Sequence, residues 1–395
     1  MEYNFDTPVS RENTSSYKYD LRRVVFGKED VIPMWVADMD FKTPAFIIDA
    51  LKKRLEHEVL GYTFRSDSYY ESIIRWLKMK HDWDVKREWI GFSPGVVPAV
   101  NLAVLAYTKP GDKIIVQKPV YFPFFPAIQN HKRLLVNNPL KYEDFQYSID
   151  FNDLQNKIDE EVKMIILCSP HNPTGNVWKY DDLKRLSDIC IEKNILILSD
   201  EIHSDLVYQG NRHIPVASLS PEVSDITVTC ISPSKTFNLA GLSTSAVIIS
   251  NRVLREKYEK MLEDIHVSGG NIFGFVALQA AYDKGEKWLR ELMEYLKNNL
   301  GYLVSYLNRH IPVIKPVIPE ATYMVWLDCR GLGLDSTELK KFMVYDAGLG
   351  LSDGTLFGDE GSGFQRINIG CRLSLLKEAL DQLNNAVVQR FDQKF

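Results

Sequence analysis

The sequence predicts an α/β protein built on a mostly parallel sheet, with a smaller α+β unit beside it. Three observations carry that prediction. Short β-rich runs alternate with longer amphipathic stretches through the middle of the chain, the order expected of strands joined by helical crossovers. Runs such as MIILCS (164–169) and ILILS (195–199) are apolar along their whole length, as strands covered on both faces are. The last hundred or so residues change character, with a long helical stretch, a Pro-rich extended piece and then shorter elements.

Each element follows from local pattern. Strands are expected at 113–116, 164–169, 195–199, 226–232 and 245–250, and the segment 89–92 runs into a Ser-Pro-Gly turn. Between them, 181–193 places Leu183, Leu186, Ile189 and Cys190 at three-to-four spacing, which predicts one buried helix face. A helix is expected over 287–308, an extended piece over 311–319, a strand over 322–328, a helix near 337–345, a strand at 366–369 and a closing helix. The first forty-odd residues have little periodicity and are expected to wrap against this second unit. The expected division is a large domain over 46–287 and a small one assembled from 1–45 and 288–395.

Composition removes whole classes of function. The 395 residues suit two or three packed domains, and 45% hydrophobic with 25% charged residues is ordinary globular composition. A formal net charge of −5 gives no electrostatic reason for a nucleic-acid or anionic-membrane partner. No run approaches the length of a membrane span. The N-terminus, MEYNFDTPVSRENTSS, lacks the basic start and apolar run of a secretory signal. Cys168, Cys190, Cys230, Cys329 and Cys371 are scattered and odd in number, without C-x-x-C spacing. That argues against a disulfide framework or a zinc site and for a cytoplasmic location.

Ligands in open α/β sheets gather beyond the carboxyl ends of the strands. Four polar turns fall there: Ser93-Pro-Gly95-Val96-Val97, Pro170-His-Asn172-Pro-Thr-Gly175, Asp200-Glu-Ile-His203 and Ser232-Pro-Ser234-Lys235-Thr236. Each has an ordinary reading. Asn172 to Gly175 is turn composition, Asp200 could cap a helix, and lysines are exposed by default. Tyr121, after the strand at 113–116, is one of nineteen tyrosines. Taken jointly, the four turns suit one ligand carrying a phosphate, a cationic ring nitrogen, a phenolate oxygen and an aldehyde. Pyridoxal 5′-phosphate has all four. Helix-start amides at Gly95–Val97 and the hydroxyls of Ser232 and Ser234 suit the phosphate. A carboxylate suits the ring nitrogen, an Asn amide the phenolate oxygen, Tyr121 the ring face, and a partly buried Lys235 the aldehyde.

The ordered series Asn172-Pro-Thr-Gly, Asp200, Ser232-x-Ser234-Lys235 and Arg366 resembles the fold-type I, class I/II aminotransferase family of pyridoxal-phosphate enzymes. Segments 34–41 (MWVADMDF), 61–63 (GYT), 169–175 (SPHNPTG), 199–203 (SDEIH) and 234–241 (SKTFNLAG) are most similar to its MalY/PatB branch of carbon–sulfur β-lyases. The resemblance implies a seven-stranded large-domain sheet and a Schiff base on Lys235. It further implies Asp200 on the pyridinium nitrogen, Asn172 on the phenolate oxygen with His203 nearby, and phosphate contacts from Gly95, Val96, Val97, Ser232 and Ser234. Arg366 would grip the substrate carboxylate, a bidentate task suited to arginine. Tyr62 would reach across to a second subunit, which implies a homodimer. Many aminotransferases carry a phosphate-binding arginine eight residues after the lysine; here that position is Ser243. The departure favours α,β-elimination from cysteine S-conjugates such as cystathionine, with transamination as the alternative. A regulatory role through binding a transcription factor ranks third, by family analogy alone.

Overall fold

The computed structural model describes residues 2–391. Its centre is a seven-stranded sheet of β1 (Ile90–Ser93), β2 (Lys113–Val116), β3 (Leu134–Asn137), β4 (Val162–Cys168), β5 (Leu196–Asp200), β6 (Thr227–Ile231) and β7 (Ser245–Ile248). The order across the sheet is β1-β7-β6-β5-β4-β2-β3. Only β7 runs antiparallel to its neighbours; the other pairings are parallel. The all-apolar runs have the cause expected of them. Ile165, Ile166, Leu167, Ile197 and Leu198 lie in the middle strands with at most 1% exposure, helices covering both faces.

Expected strand ends shift by one or two residues where turn geometry intervenes. The run at 195–199 becomes β5, which carries Asp200 as its last residue. The run at 226–232 ends at Ile231, because Ser232 leaves the strand to cap a one-turn helix, Pro233–Thr236, its side chain accepting from the Ser234 amide. Strand β3 was not expected from pattern. Leu134 is half exposed on this edge, so the run LLVN lacks the fully apolar character of the central strands.

The C-terminal residues form a four-stranded antiparallel sheet of β8 (Lys315–Val317), β9 (Met324–Asp328), β10 (Ser352–Asp353) and β11 (Phe364–Asn368), ordered β8-β9-β11-β10. The long helix is Glu286–His310, with Leu289, Leu292, Leu296, Leu300, Leu303 and Leu307 on its buried face. The helix expected near 337–345 is α-helical over Ser336–Lys341 and continues as a π-turn over Phe342–Asp346. The closing helix is Leu373–Phe391. The aperiodic N-terminal segment holds two short helices, Tyr17–Asp20 and Arg22–Phe26, and pairs Ile32–Pro33 in parallel with Leu349–Gly350.

A buried charge cluster locks this segment down. Lys18, 1% exposed, lies 2.9 Å from Asp40, and Arg11 meets Asp38 and Asp40 at 2.6 and 2.8 Å. Burying these charges is tolerable only because they are paired. Asn368 Nδ2 donates to the carbonyls of Val36 and Asp38, and its amide to that of Met34. Residues 34–40 are thereby laid across the carboxyl ends of the central strands. Among the described residues no helix is long and apolar enough to cross a membrane.

Candidate active site

A cavity of about 210 Å³ opens beyond the carboxyl ends of β4, β5 and β6. Gly95, Val96, Val97, Tyr121, Asn172, Asp200, His203, Ser232, Ser234 and Lys235 all line it, as do Ala37, Cys168, Ser243 and Thr244. The four polar turns of the sequence therefore do converge.

Backbone geometry explains why those turns hold their shape. Gly95 sits at φ 156° and ψ 164°, a combination that glycine alone adopts readily, and the helix Val96–Tyr107 starts directly behind it. That helix has no side-chain cap, so its first amides point into the cavity unclaimed. The Asn172 turn closes on Gly175 at φ +78°, whose carbonyl accepts from the amides of Glu320 and Ala321. The turn is thereby fastened to the segment that leads into β9.

Asp200 is buried at the end of β5 and receives the Ile202 amide at 3.1 Å. Burial pushes its carboxyl up to about 7, with the Ile202 amide and nearby Lys235 opposing. A carboxylate so placed gains from a cationic partner. Lys235, partly buried, donates from Nζ to the Ala37 carbonyl at 2.7 Å. Burial lowers its amine to about 8, against the pull of Asp38 and helped by Arg366, so far more of it is free amine near neutrality than in an exposed lysine, though the ammonium form still predominates. His203 Nδ1 is buried without a partner, and burial holds the imidazole down to about 3, therefore neutral. Burial raises the Tyr121 hydroxyl to about 12, so it stays protonated.

On the phosphate side, the Ser234 amide donates to Ser232 Oγ at 3.1 Å, the Ser232 hydroxyl lies 2.8 Å from the Thr244 carbonyl, and Thr244 Oγ1 is buried and unpartnered. On the opposite side, Arg366 of β11 donates from Nη1 to Asn172 Oδ1 at 2.9 Å. Its Nη2 donates to the Trp35 carbonyl and to Ser352 Oγ, at 2.9 and 3.1 Å. The Phe357 ring faces the guanidinium at 4.8 Å, and Nε has no partner. Burial lowers this arginine to about 10. It remains a buried cation whose Nε is left without a partner.

Pyridoxal 5′-phosphate fits these residues. Unclaimed helix amides and hydroxyls suit its phosphate, a desolvated carboxylate its ring nitrogen, and an amine of lowered pKa its aldehyde.

Tyr62 is not brought to this cavity. It is fully exposed and lines a separate groove with Arg54, Phe64 and Tyr69. Pattern reasoning also missed several contributors: the Ala37 and Trp35 carbonyls, Ser352, Thr244 and Tyr323, whose hydroxyl donates to Ala37 O at 3.0 Å. The segment at 34–41 was the available signal for the first two, but a backbone acceptor leaves no mark in residue type.

Fold and site together define a pyridoxal-phosphate enzyme of fold type I. The chain belongs to the family described as aminotransferase class I and II, whose model matches residues 29–383. Cystathionine beta-lyase PatB of Bacillus subtilis is 43% identical over 385 residues, which span 97% of this chain and 100% of PatB. Protein MalY of Escherichia coli is 32% identical over 388 residues, 98% and 99% of the two chains. The crystal structure of cystalysin from Treponema denticola, which contains pyridoxal 5′-phosphate, superposes with a TM-score of 0.95 at 38% identity, covering 99% of this chain and 100% of that one. The chain thus falls in the MalY/PatB-type carbon–sulfur lyase branch.

Proposed function

We propose that the chain is a pyridoxal-phosphate carbon–sulfur β-lyase, cleaving L-cysteine S-conjugates such as cystathionine to a thiol, pyruvate and ammonia. The observation that carries this is the placement of Lys235, Asp200 and Asn172 around one cavity, with Arg366 hydrogen-bonded to Asn172 behind its wall, in a chain 43% identical to a cystathionine beta-lyase.

When bound, the cofactor supplies an electron sink for the pair left on Cα after deprotonation. Each remaining part of the chemistry falls to the chain. Lys235 would hold the cofactor's aldehyde and, as a free amine, would take the Cα proton, a role its lowered pKa suits. Asp200, from its desolvated position, would pair with the ring nitrogen and favour its protonated form. Asn172 serves the phenolate oxygen, with neutral His203 beside it. Gly95, Val96, Val97, Ser232 and Ser234 hold the phosphate. Arg366, tied at both Nη atoms and unpartnered at Nε, takes the α-carboxylate and turns the Cα–H bond toward Lys235. Breaking Cα–H and Cβ–S forms a Cα–Cβ double bond. Lys235, or Tyr121 through its protonated hydroxyl, gives a proton to the departing sulfur. The three-carbon enamine then hydrolyses to pyruvate and ammonia.

Lys235→Ala tests the assignment. The variant is expected to lose the visible band of lysine-bound cofactor, the borohydride-trapped adduct and elimination; retention of all three would sink it. Transamination is the second reading, favoured by the family model itself, and it would require an added keto acid.

The working unit is proposed to be a homodimer in the cytoplasm. Support comes from the exposed run Val59, Leu60, Tyr62 and Phe64, an apolar strip suited to a second copy, with Tyr62 reaching that copy's cavity. Five buried free cysteines favour a reducing compartment. The division into 46–287 and 1–45 with 288–395 is proposed on the placement of the two main sheets; residues 1 and 392–395 lie outside the described residues.

A further inference from the structure

The turn after β5 carries more than Asp200 and His203. Asp205, five residues beyond Asp200, does not line the cavity; its side chain, 6% exposed, bonds to the turn that bears Lys235. Its Oδ2 accepts from Thr236 Oγ1 at 2.8 Å, and its Oδ1 accepts from Trp76 Nε1 at 3.0 Å. His81 Nε2 lies 3.4 Å from the same Oδ1, with both side chains almost wholly buried. Burial alone would raise the Asp205 carboxyl, but His81 and Thr236 beside it hold it below the usual range, so it is a charged acceptor.

Behind it lies a second buried cluster. The His81 and His213 rings meet at 5.3 Å, and His213 Nε2 lies 2.8 Å from Glu201 Oε2. Glu201 Oε1 accepts from Ser199 Oγ at 2.8 Å and the Val216 amide at 3.1 Å. The hydrogen bonds of Asp205 and of Glu201 are buried, where such bonds are strong, while His81 Nε2 has no hydrogen-bond partner. Ser199 and Glu201, the two neighbours of Asp200 in the chain, belong to the His213 cluster, which meets the Asp205 cluster only where the two imidazole rings touch.

The lysine needs such support. Pro233–Thr236 is a single helical turn, too short to hold its own geometry. One end is fixed by the Ser232 hydroxyl at the Thr244 carbonyl; at the other, the Thr236 hydroxyl is fixed by Asp205.

We propose that Asp205 and Thr236 are positioning residues whose hydrogen bond clamps the one-turn helix, so that the Lys235 amine is held inside the cavity against Ala37 O and away from water. The proposal rests on the reading of Lys235 as the cofactor-bearing amine. The charged groups acting on that amine, Asp38, Asp200 and Arg366, are left in place by the variants below.

The test uses Thr236→Val, which keeps shape and loses the donor, with Thr236→Ser as rescue and Asp205→Asn as a second break. The pH dependence of Lys235 acylation is read by mass spectrometry on the full-length chain stripped of cofactor. That readout succeeds or fails whatever reaction the loaded enzyme runs. In Thr236→Val the midpoint is expected to rise by about one unit, as the loosened amine reaches water. In the loaded enzyme, kcat is expected to fall roughly 10- to 100-fold with KM changed less than about twofold. Thr236→Ser restores both to near wild type, and Asp205→Asn reproduces the defect. Should Thr236→Val fail to fold, Asp205→Asn carries the same two readouts. A wild-type labelling midpoint and kcat in the folded variants, or equal damage in Thr236→Ser and Thr236→Val, would overturn the proposal.

Discussion

Arg366 and Asn172 are joined by a hydrogen bond of 2.9 Å across 194 positions of sequence. The bond ties a residue proposed to grip the substrate to one proposed to touch the cofactor. It also spans the two main sheets, from β11 to the turn after β4. On the proposed roles, substrate orientation and cofactor orientation are coupled through this contact.

Arg366→Lys should be severe. A lysine cannot donate to Asn172, Trp35 O and Ser352 while keeping a donor free for a carboxylate. The expected loss in kcat/KM is about 100-fold, equivalent to about 2.7 kcal/mol, with KM rising most. Steady-state kinetics on a cysteine S-conjugate checks this, with an unchanged thermal melt as the control for folding. A variant within about threefold of wild type contradicts the clamp.

Ser352→Ala removes one of the two groups that receive Arg366 Nη2 and leaves the Trp35 carbonyl. One hydrogen bond to a charged group corresponds to about 1.5 kcal/mol, roughly a tenfold rise in KM. The same assay reads it, and an unchanged KM would show that Trp35 suffices.

The desolvated Asp200 gives the cofactor-free chain a distinctive pH dependence. The unfolded carboxyl titrates near about 3.9, the folded one at about 7. Between these values the folded state holds the proton that the unfolded state has lost. The stability contribution therefore falls as pH rises through that window. Asp200→Asn abolishes it. The stripped variant should match wild type at about pH 4 and exceed it at pH 8 by on the order of 2–4 kcal/mol. Denaturant unfolding at the two pH values measures the difference; a variant less stable at pH 8 contradicts the account. With cofactor bound the order should reverse, since the ring nitrogen loses its partner.

Gly175→Ala tests how the Asn172 turn is held. A Cβ there would lie 2.4 Å from Pro319 Cβ, at a backbone φ of +78° that disfavours a side chain. Destabilisation of about 2–4 kcal/mol is expected, together with weakened substrate binding as Asn172 is displaced from Arg366. A thermal melt and KM measure both.

Much of this architecture was legible in residue pattern, for physical reasons. Central strands covered on both faces must be apolar throughout, so β4 and β5 announce themselves, and polar turns at their carboxyl ends stand out by contrast. Edge strand β3 was missed because half-exposed Leu134 blurs that contrast. Side chains proposed to carry chemistry, such as Lys235 and Arg366, are visible by type and order. Ala37 and Trp35 act through backbone carbonyls, which every residue has, and Ser352 acts through a contact that only the tertiary fold creates. Asp205 escaped notice because its partner Thr236 is remote in sequence. Tyr62 marks the opposite limit: its residue type was visible, but its proposed role needs a second chain.

The central claim is elimination at the carbon–sulfur bond, and one measurement tests it most directly. Purified, cofactor-loaded protein is incubated with L-cystathionine and no keto acid, and pyruvate is followed with time. The account predicts continuous pyruvate release over many turnovers per subunit, with ammonia and thiol in equal amounts, and none from Lys235→Ala. No pyruvate beyond background, or amino-group transfer appearing only when a keto acid is added, would contradict it.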